Sequence, residues 1–312
     1  MTLHLIIDSD LGIDDCLAIC LAARCPAVRI EAIAAVGGNV PLIQAWRNLQ
    51  QLAHLLWPAG DGPILLRGLD QTEPGLLNGT HKHGPNGLGG VELPEAPRYQ
   101  PPDLHATCAD LIRTHGPSLH ILAIGPLTNL ASIHAEKPRL LQRAGGITIM
   151  GGAVFKPANM LDGNAEFNFY RDPAAARTIL ALPMPRTLVP LDLTLAELLA
   201  PDVCLQLQQM QDPVASILAP MLRHRLADPS LDGRGAAIHD AIALARLIHP
   251  AWFIDCDLTA DVADQAQLRG KLIWEPARHD EPWPLRTAVK ACQPGRVSEW
   301  VHSLLLPAVP AS

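Results

Sequence analysis

Residues 5–21 read LIIDSDLGIDDCLAICL and carry four carboxylates, Asp8, Asp10, Asp14 and Asp15, between two apolar flanks. Like charges this close repel, and burying them unpaired is costly. A helix N-terminus favours negative charge by up to about 1 kcal/mol in exposed settings, which accounts for Asp14 and at most one more. A divalent cation accounts for all four, because Ca2+ and Mg2+ are held by hard oxygen ligands converging on one point. The soft ligand set expected for zinc is missing.

Other chemically able residues recur at the ends of apolar runs. Asn39 follows AVGG, AIGPLTN (123–129) closes another run, and MGGAVF (150–155) a third. NAEFNFYRDP supplies Glu166 and Asn168, with Asn159 nearby, and AAIHDAIAL sets His239 beside Asp240 at a helix start. Singly, each has a plain explanation: a turn asparagine, a solvated glutamate, a satisfied helix histidine. Their convergence on strand ends is what gives them weight, since ligands of parallel α/β sheets sit beyond the C-terminal ends of the strands.

The elements that must position these groups alternate. Apolar runs at 3–8, 29–36, ILLRG, LHILAIG, ITIMGG and RTLVPL read as strands. Segments 15–25, 41–57, 103–115, 128–137 and 173–182 read as the helices between them, the second with Leu42, Trp46, Leu49, Leu52 and Leu56 on one face. Such alternation predicts an α/β fold, an open, mostly parallel sheet covered by helices on both faces, with helical insertions. We expect a single domain over 1–312: an α/β core at 1–190, a helical region at 191–250 carrying His239 and Asp240, and C-terminal strands and a helix at 251–312. Residues 69–102, with HKHGPNGLGG inside, form a loop long enough to serve as a mobile wall over a site or as plain surface.

Composition narrows the partners. The chain has 312 residues, 48 % hydrophobic and 18 % charged, enough for a full-sized core. A net charge of −7 without a basic run argues against nucleic acid and for a small molecule. Seven scattered cysteines without a C-x-x-C pair argue against disulfides and for a reducing cytoplasm. MTLHLIID opens straight into a strand without a basic leader, and no window approaches the ~18 apolar residues of a membrane helix.

DSDLGIDDCLAI resembles the D-x-D-P-G-x-D-D-A-x-A-[IL] signature of the inosine–uridine-preferring nucleoside hydrolases. The similarity continues through GGN, HGPNGLGG, GPLTNLA, MGGAVF…AEFNFYRDP and HDAIAL, in the family's order, over roughly residues 3–250. Six ordered motifs carry far more than a lone D-x-D. The resemblance implies a Ca2+-dependent hydrolysis of the N-glycosidic bond of ribonucleosides to free base and ribose. It implies Asp10, Asp15 and Asp240 as carboxylate ligands, with the backbone carbonyl of Ile124. Asp14, Asn39 and Asn168 would bind the ribose diol, Glu166 and Asn159 the 5′-hydroxyl, and Asp8 would support from behind. Asp10 would take the proton of a metal-bound water, so that C1′ inverts, and His239 would protonate the leaving base. His83 and His81 would lie on the base side. A homodimer or homotetramer is the implied assembly.

The chain departs from the pattern at Leu11, usually proline, at Ile124, commonly threonine, and at Cys16, usually alanine. The stretch 159–166 runs one residue longer than usual, so Asn164 or Asp162 could replace Asn159. Two other functions compete: a Mg2+-dependent phosphatase of the haloacid dehalogenase type, which shares D-x-D, and a nucleoside- or calcium-binding protein without turnover. Discrimination between bases is expected to rest on His81, His83 and the segment 223–236, and the histidines flanking the base favour broad or pyrimidine-leaning specificity.

Overall fold

The computed structural model describes residues 2–306 apart from 72, 74 and 75. Its strands are β1 (Leu3–Ser9), β2 (Val28–Ala35), β3 (Ile64–Arg67), β4 (Leu119–Ala123), β5 (Gly146–Met150), β6 (Arg186–Val189), β7 (Leu198–Leu199), β8 (Ala236–Ala237), β9 (Phe253–Val262), β10 (Leu272–Pro276) and β11 (Leu285–Ala291). Nine of them make one sheet in the order β10-β9-β11-β6-β5-β4-β1-β2-β3. From β3 to β11 all neighbours are parallel; β9 and β10 add an antiparallel edge. The mostly parallel sheet expected from the alternating runs is therefore present, and the short β7–β8 ribbon lies outside it.

Helices cover both faces because the strands are apolar on both. Leu5 and Ile7 enter one core and Ile6 the other; Ile33 and Ala35 oppose Ala32 and Ala34 in the same way. The helix Ile13–Arg24 is buried from Ile13 to Ala22. It packs against the helix His239–Ile248. Residues 191–249, expected to be helical, are helical at Leu191–Thr194, Pro201–Leu207, Pro213–Leu226 and His239–Ile248, interrupted by β7 and β8. Within 69–102 only Thr80–His83 forms a helical turn among the described residues. The rest is pinned locally: the Asn86 side chain accepts from the N–H groups of Leu88 and Gly90 and donates to the Val91 carbonyl.

The chain runs β1 to β3 on one side of the sheet, then crosses to place β4 on the other side of β1. At this switch a crevice opens beyond the strand ends. The N–H of Ile124 bonds the Asp8 carbonyl at 2.8 Å, closing the crevice floor.

Phe169 is fully buried in the second core, and the turn at Gly151 leaves room for its ring: a Cβ there would sit 2.5 Å from the ring. We expect Phe169→Ala to cost about 3–5 kcal/mol in urea unfolding. A loss below about 1 kcal/mol would show that the ring does not anchor this wall.

Candidate active site

The acidic loop starts where β1 ends. Leu11, the residue standing where the resembling signature has proline, takes φ +53°, a value the pyrrolidine ring cannot reach. Its N–H donates to Ser9 Oγ at 3.2 Å and its carbonyl accepts from Asn48 Nδ2 at 3.3 Å. The next helix begins at Ile13, and Asp15 reaches back to accept from the Gly12 N–H at 2.9 Å, half of a capping box. Asp14 and Asp15 therefore open the helix with their carboxylates at its positive end.

Asn39 ties the loop to β2. Its backbone N–H donates to Asp10 Oδ2 at 2.7 Å and its Nδ2 to Asp10 Oδ1 at 3.0 Å, with a longer 3.4 Å contact to Asp15 Oδ2. Glycines make this approach possible. A Cβ on Gly38 would lie 2.1 Å from Asp10 Oδ2, and one on Gly12 2.5 Å from Asn39 Nδ2. Ser9 Oγ donates to Asp15 Oδ1 at 2.6 Å, and Asn129 Nδ2 to Asp8 Oδ1 at 2.7 Å, whereas buried Asp8 Oδ2 has no partner among the described residues.

One oxygen from each of Asp14, Asp15 and Asp240 lies within 4.8 Å of the others, and all three residues are buried. Asp10 stands behind this triplet and does not itself line the cavity. Burial, reinforced by neighbouring carboxylates, raises Asp10 and Asp240 well above the ordinary range; burial and Asp14 push Asp15 up to about 6. Burial also pushes Asp8 up to about 7. An all-oxygen donor set under mutual repulsion fits a hard divalent cation.

A cavity of about 440 Å3 opens above these acids. Glu166 caps the short helix Phe167–Arg171, accepting N–H groups from Asn168, Gly152 and Phe169 at 2.9–3.3 Å; burial pushes it up to about 7. Asn168 Nδ2 donates to the carbonyls of Ile124 at 3.1 Å and Met150 at 3.2 Å. Asn159 lines the cavity, whereas Asp162 and Asn164 do not. Leu161, Asp162 and Gly163 take successive positive φ values, which turns the longer stretch outward.

His83 and His239 line the cavity beside the acids. His83 Nδ1 accepts from the Ile13 N–H at 3.1 Å and faces Asp14 at 3.8 Å; His239 Nδ1 shares a 2.7 Å bond with Thr194 Oγ1. Burial lowers His83 to about 3 and His239 to about 4, so both are neutral at pH 7. Burial opposes ionisation of Asp14 too, yet His83, Arg225 and His239 together hold its carboxyl below the usual range. With both imidazoles uncharged at neutral pH, the standing positive charge acting on Asp14 is Arg225. His81 is exposed at the mouth.

Thus the cavity wall collects Asp14, Asp15, Asn39, His81, His83, Ile124, Asn159, Glu166, Asn168, His239 and Asp240, with Asp8 and Asp10 behind. Ser9, Asn129 and Thr194 were not singled out from sequence, and Arg225 was covered only as part of the segment 223–236 expected to discriminate bases. Asn129 sits within AIGPLTN, a strand-end stretch already noted; Thr194 lies in a helical segment with no local signal.

The family model for inosine-uridine preferring nucleoside hydrolases matches residues 5–299. The chain is 32 % identical over 262 residues to the pyrimidine-specific ribonucleoside hydrolase RihA of Klebsiella pneumoniae, covering 81 % of this chain and 82 % of the relative. Against the protein of the same name from Photobacterium profundum it is 31 % identical over 265 residues, covering 82 % and 84 %. The purine-preferring ribonucleoside hydrolase of Gardnerella vaginalis superposes with a TM-score of 0.87 at 27 % identity, covering 97 % of this chain and 98 % of that one.

The acid cluster predicts how ions and protons compete. A cation must displace protons from carboxyls raised to about 6 and above, so its hold strengthens with pH. Added Ca2+ should raise the melting temperature more at pH 7 than at pH 5, and Asp240→Asn should remove that gain. A gain independent of pH, or one surviving Asp240→Asn, would place the ion elsewhere.

Proposed function

The chain belongs to the inosine-uridine preferring nucleoside hydrolases, enzymes that cleave the N-glycosidic bond of ribonucleosides, and from that premise we propose a calcium-dependent hydrolase that uses a single direct displacement by water at C1′. The observation carrying this reading is the buried triplet Asp14, Asp15 and Asp240 at the floor of a cavity walled by asparagines and a glutamate. Asp10, Asp15, Asp240 and the Ile124 carbonyl would hold the ion. When bound, a calcium ion lowers the pKa of water and orients vicinal hydroxyls.

The chain's own groups then divide the work. Asp14, Asn39 and Asn168 hold the ribose diol, and Glu166 with Asn159 the 5′-hydroxyl. The lost C1′–N bond leaves positive charge on the ribose, and the surrounding carboxylates favour that charge. Asp10 accepts the proton of the attacking water. Its burial and its Asp15 neighbour raise its proton affinity, and two Asn39 N–H groups fix its oxygens. No covalent intermediate is needed, so the product ribose is inverted. His239 delivers a proton to the leaving base, and Thr194 orients its ring.

Base choice is the finer question. Phe167 is the only Phe, Tyr or Trp among the described residues lining the cavity, so a stacking platform for purines is poorly provided. Polar groups dominate the wall by His81 and His83, which supports broad or pyrimidine-leaning specificity. The family match supports neither the phosphatase nor the binding-only reading. A reducing compartment such as the cytoplasm suits seven unpaired thiols, and a homodimer or homotetramer stays the proposed assembly.

Release of free base from uridine, cytidine, inosine, adenosine and guanosine, with and without chelator, tests the reading. Chelation should abolish the activity and Ca2+ restore it, with uridine ahead. Asp10→Asn should lower kcat by roughly 10²–10⁴-fold while the Ca2+-induced melting shift persists. An intact kcat at saturating Ca2+ would leave Asp10 as a ligand of the ion and not the base.

A further inference from the structure

Four arginines are buried among the described residues, and three are engaged. Arg171 donates to the Leu77 and Gln71 carbonyls and to Asp70; Arg186 donates to the Met184 and Trp283 carbonyls; Arg246 pairs with Asp255. Arg225 has no such partner. It is 4 % exposed, lines the cavity, and its side chain forms neither a hydrogen bond nor an ion pair with the described residues; its buried Nε is unsatisfied.

The neighbourhood explains why. Arg225 lies in the last turn of the helix Pro213–Leu226. The nearest acid along the chain, Asp228, is spent elsewhere: Lys82 Nζ meets its Oδ2 at 2.8 Å, and Ser230 donates both N–H and Oγ–H to its Oδ1. His224 Nε2 meets the Lys82 carbonyl at 3.2 Å, so the same two segments are clamped on either side of Arg225. A fixed wall therefore presents a charged fork with free donors to the cavity. An unpaired buried guanidinium is costly unless a ligand supplies acceptors.

We propose that Arg225 donates to the carbonyl oxygen beside the glycosidic nitrogen of a 2-oxopyrimidine base and stabilises that base as it departs. The inference rests on the hydrolase reading and deepens it. As water bonds to C1′, the C1′–N electron pair passes to the base nitrogen and spreads onto the neighbouring oxygen. The water proton goes to Asp10, and the base takes up a proton from His239, with the oxygen bearing the charge until that transfer is complete. Planar, bidentate donation by a guanidinium suits an oxygen gaining charge during this step. The acids at the floor and Arg225 in the wall thus face opposite charges, the ribose cation and the base anion.

The test compares uridine with 4-nitrophenyl β-D-ribofuranoside, whose leaving group is a stable anion without assistance. Arg225→Met should lower kcat for uridine by roughly 10²–10³-fold and for the nitrophenyl riboside less than about tenfold, with the Ca2+-induced melting shift retained. Arg225→Lys, which keeps the charge but not the fork, should fall between. Equal losses on both substrates would overturn the assignment, because Arg225 would then act through Asp14 or the fold. If Arg225→Met melts early, the Arg225→Lys ratio between the two substrates decides in the same way. Hydrolysis of neither substrate by the unaltered protein would overturn the hydrolase reading and this assignment with it; hydrolysis with parallel losses overturns this assignment alone.

Discussion

Repulsion among buried carboxylates is the constraint around which the rest is arranged. Asp10, Asp14, Asp15 and Asp240 are each no more than 5 % exposed. Left alone, they would have to protonate or part. Instead Asn39 spans Asp10 and Asp15, Ser9 and Gly12 each donate to Asp15, and the helix Ile13–Arg24 points its positive end at the group. Each bond offsets part of the repulsion, and a cation offsets the remainder. The close glycines at 12 and 38 follow from the same need, since a side chain at either position would push these donors away.

The acids also explain the chemistry of the wall beside them. Two imidazoles placed near carboxylates would ordinarily become charged, yet burial keeps His83 and His239 neutral at pH 7. His83 consequently serves the loop as an acceptor for the Ile13 N–H. Standing positive charge comes instead from cationic side chains in the cavity wall, the buried Arg225 guanidinium among them. A neutral His239 remains able to give and receive protons.

Much of this was legible in the sequence. Apolar runs with turn signals located β1 to β6 to within a few residues, since strands buried on both faces have a conspicuous composition. The aspartates, Asn39, Glu166, Asn168 and the His239–Asp240 pair stood out because they interrupt apolar stretches at strand or helix ends. Arg225 did not: it sits in Pro213–Leu226 among Arg223 and His224, and its sequence neighbours suggest a solvated helix end. Only the tertiary packing reveals that Lys82 has taken the acid which would otherwise neutralise it. The path of residues 161–163 was similarly hidden, because left-handed backbone at Leu161 is not signalled by its residue type.

The pairing of the Ile13–Arg24 helix with His239–Ile248 has a consequence for the timing of birth on the ribosome. Asp15 emerges more than two hundred residues before Asp240. At translation speeds of about 5–20 residues per second, roughly ten to forty-five seconds separate them. Throughout that interval the growing chain carries an acidic loop whose last member has not yet been made. The helix beginning at Ile13 must wait for its partner face as well. Ion capture is therefore a late event, and it rewards chains that have already brought their distant ends together.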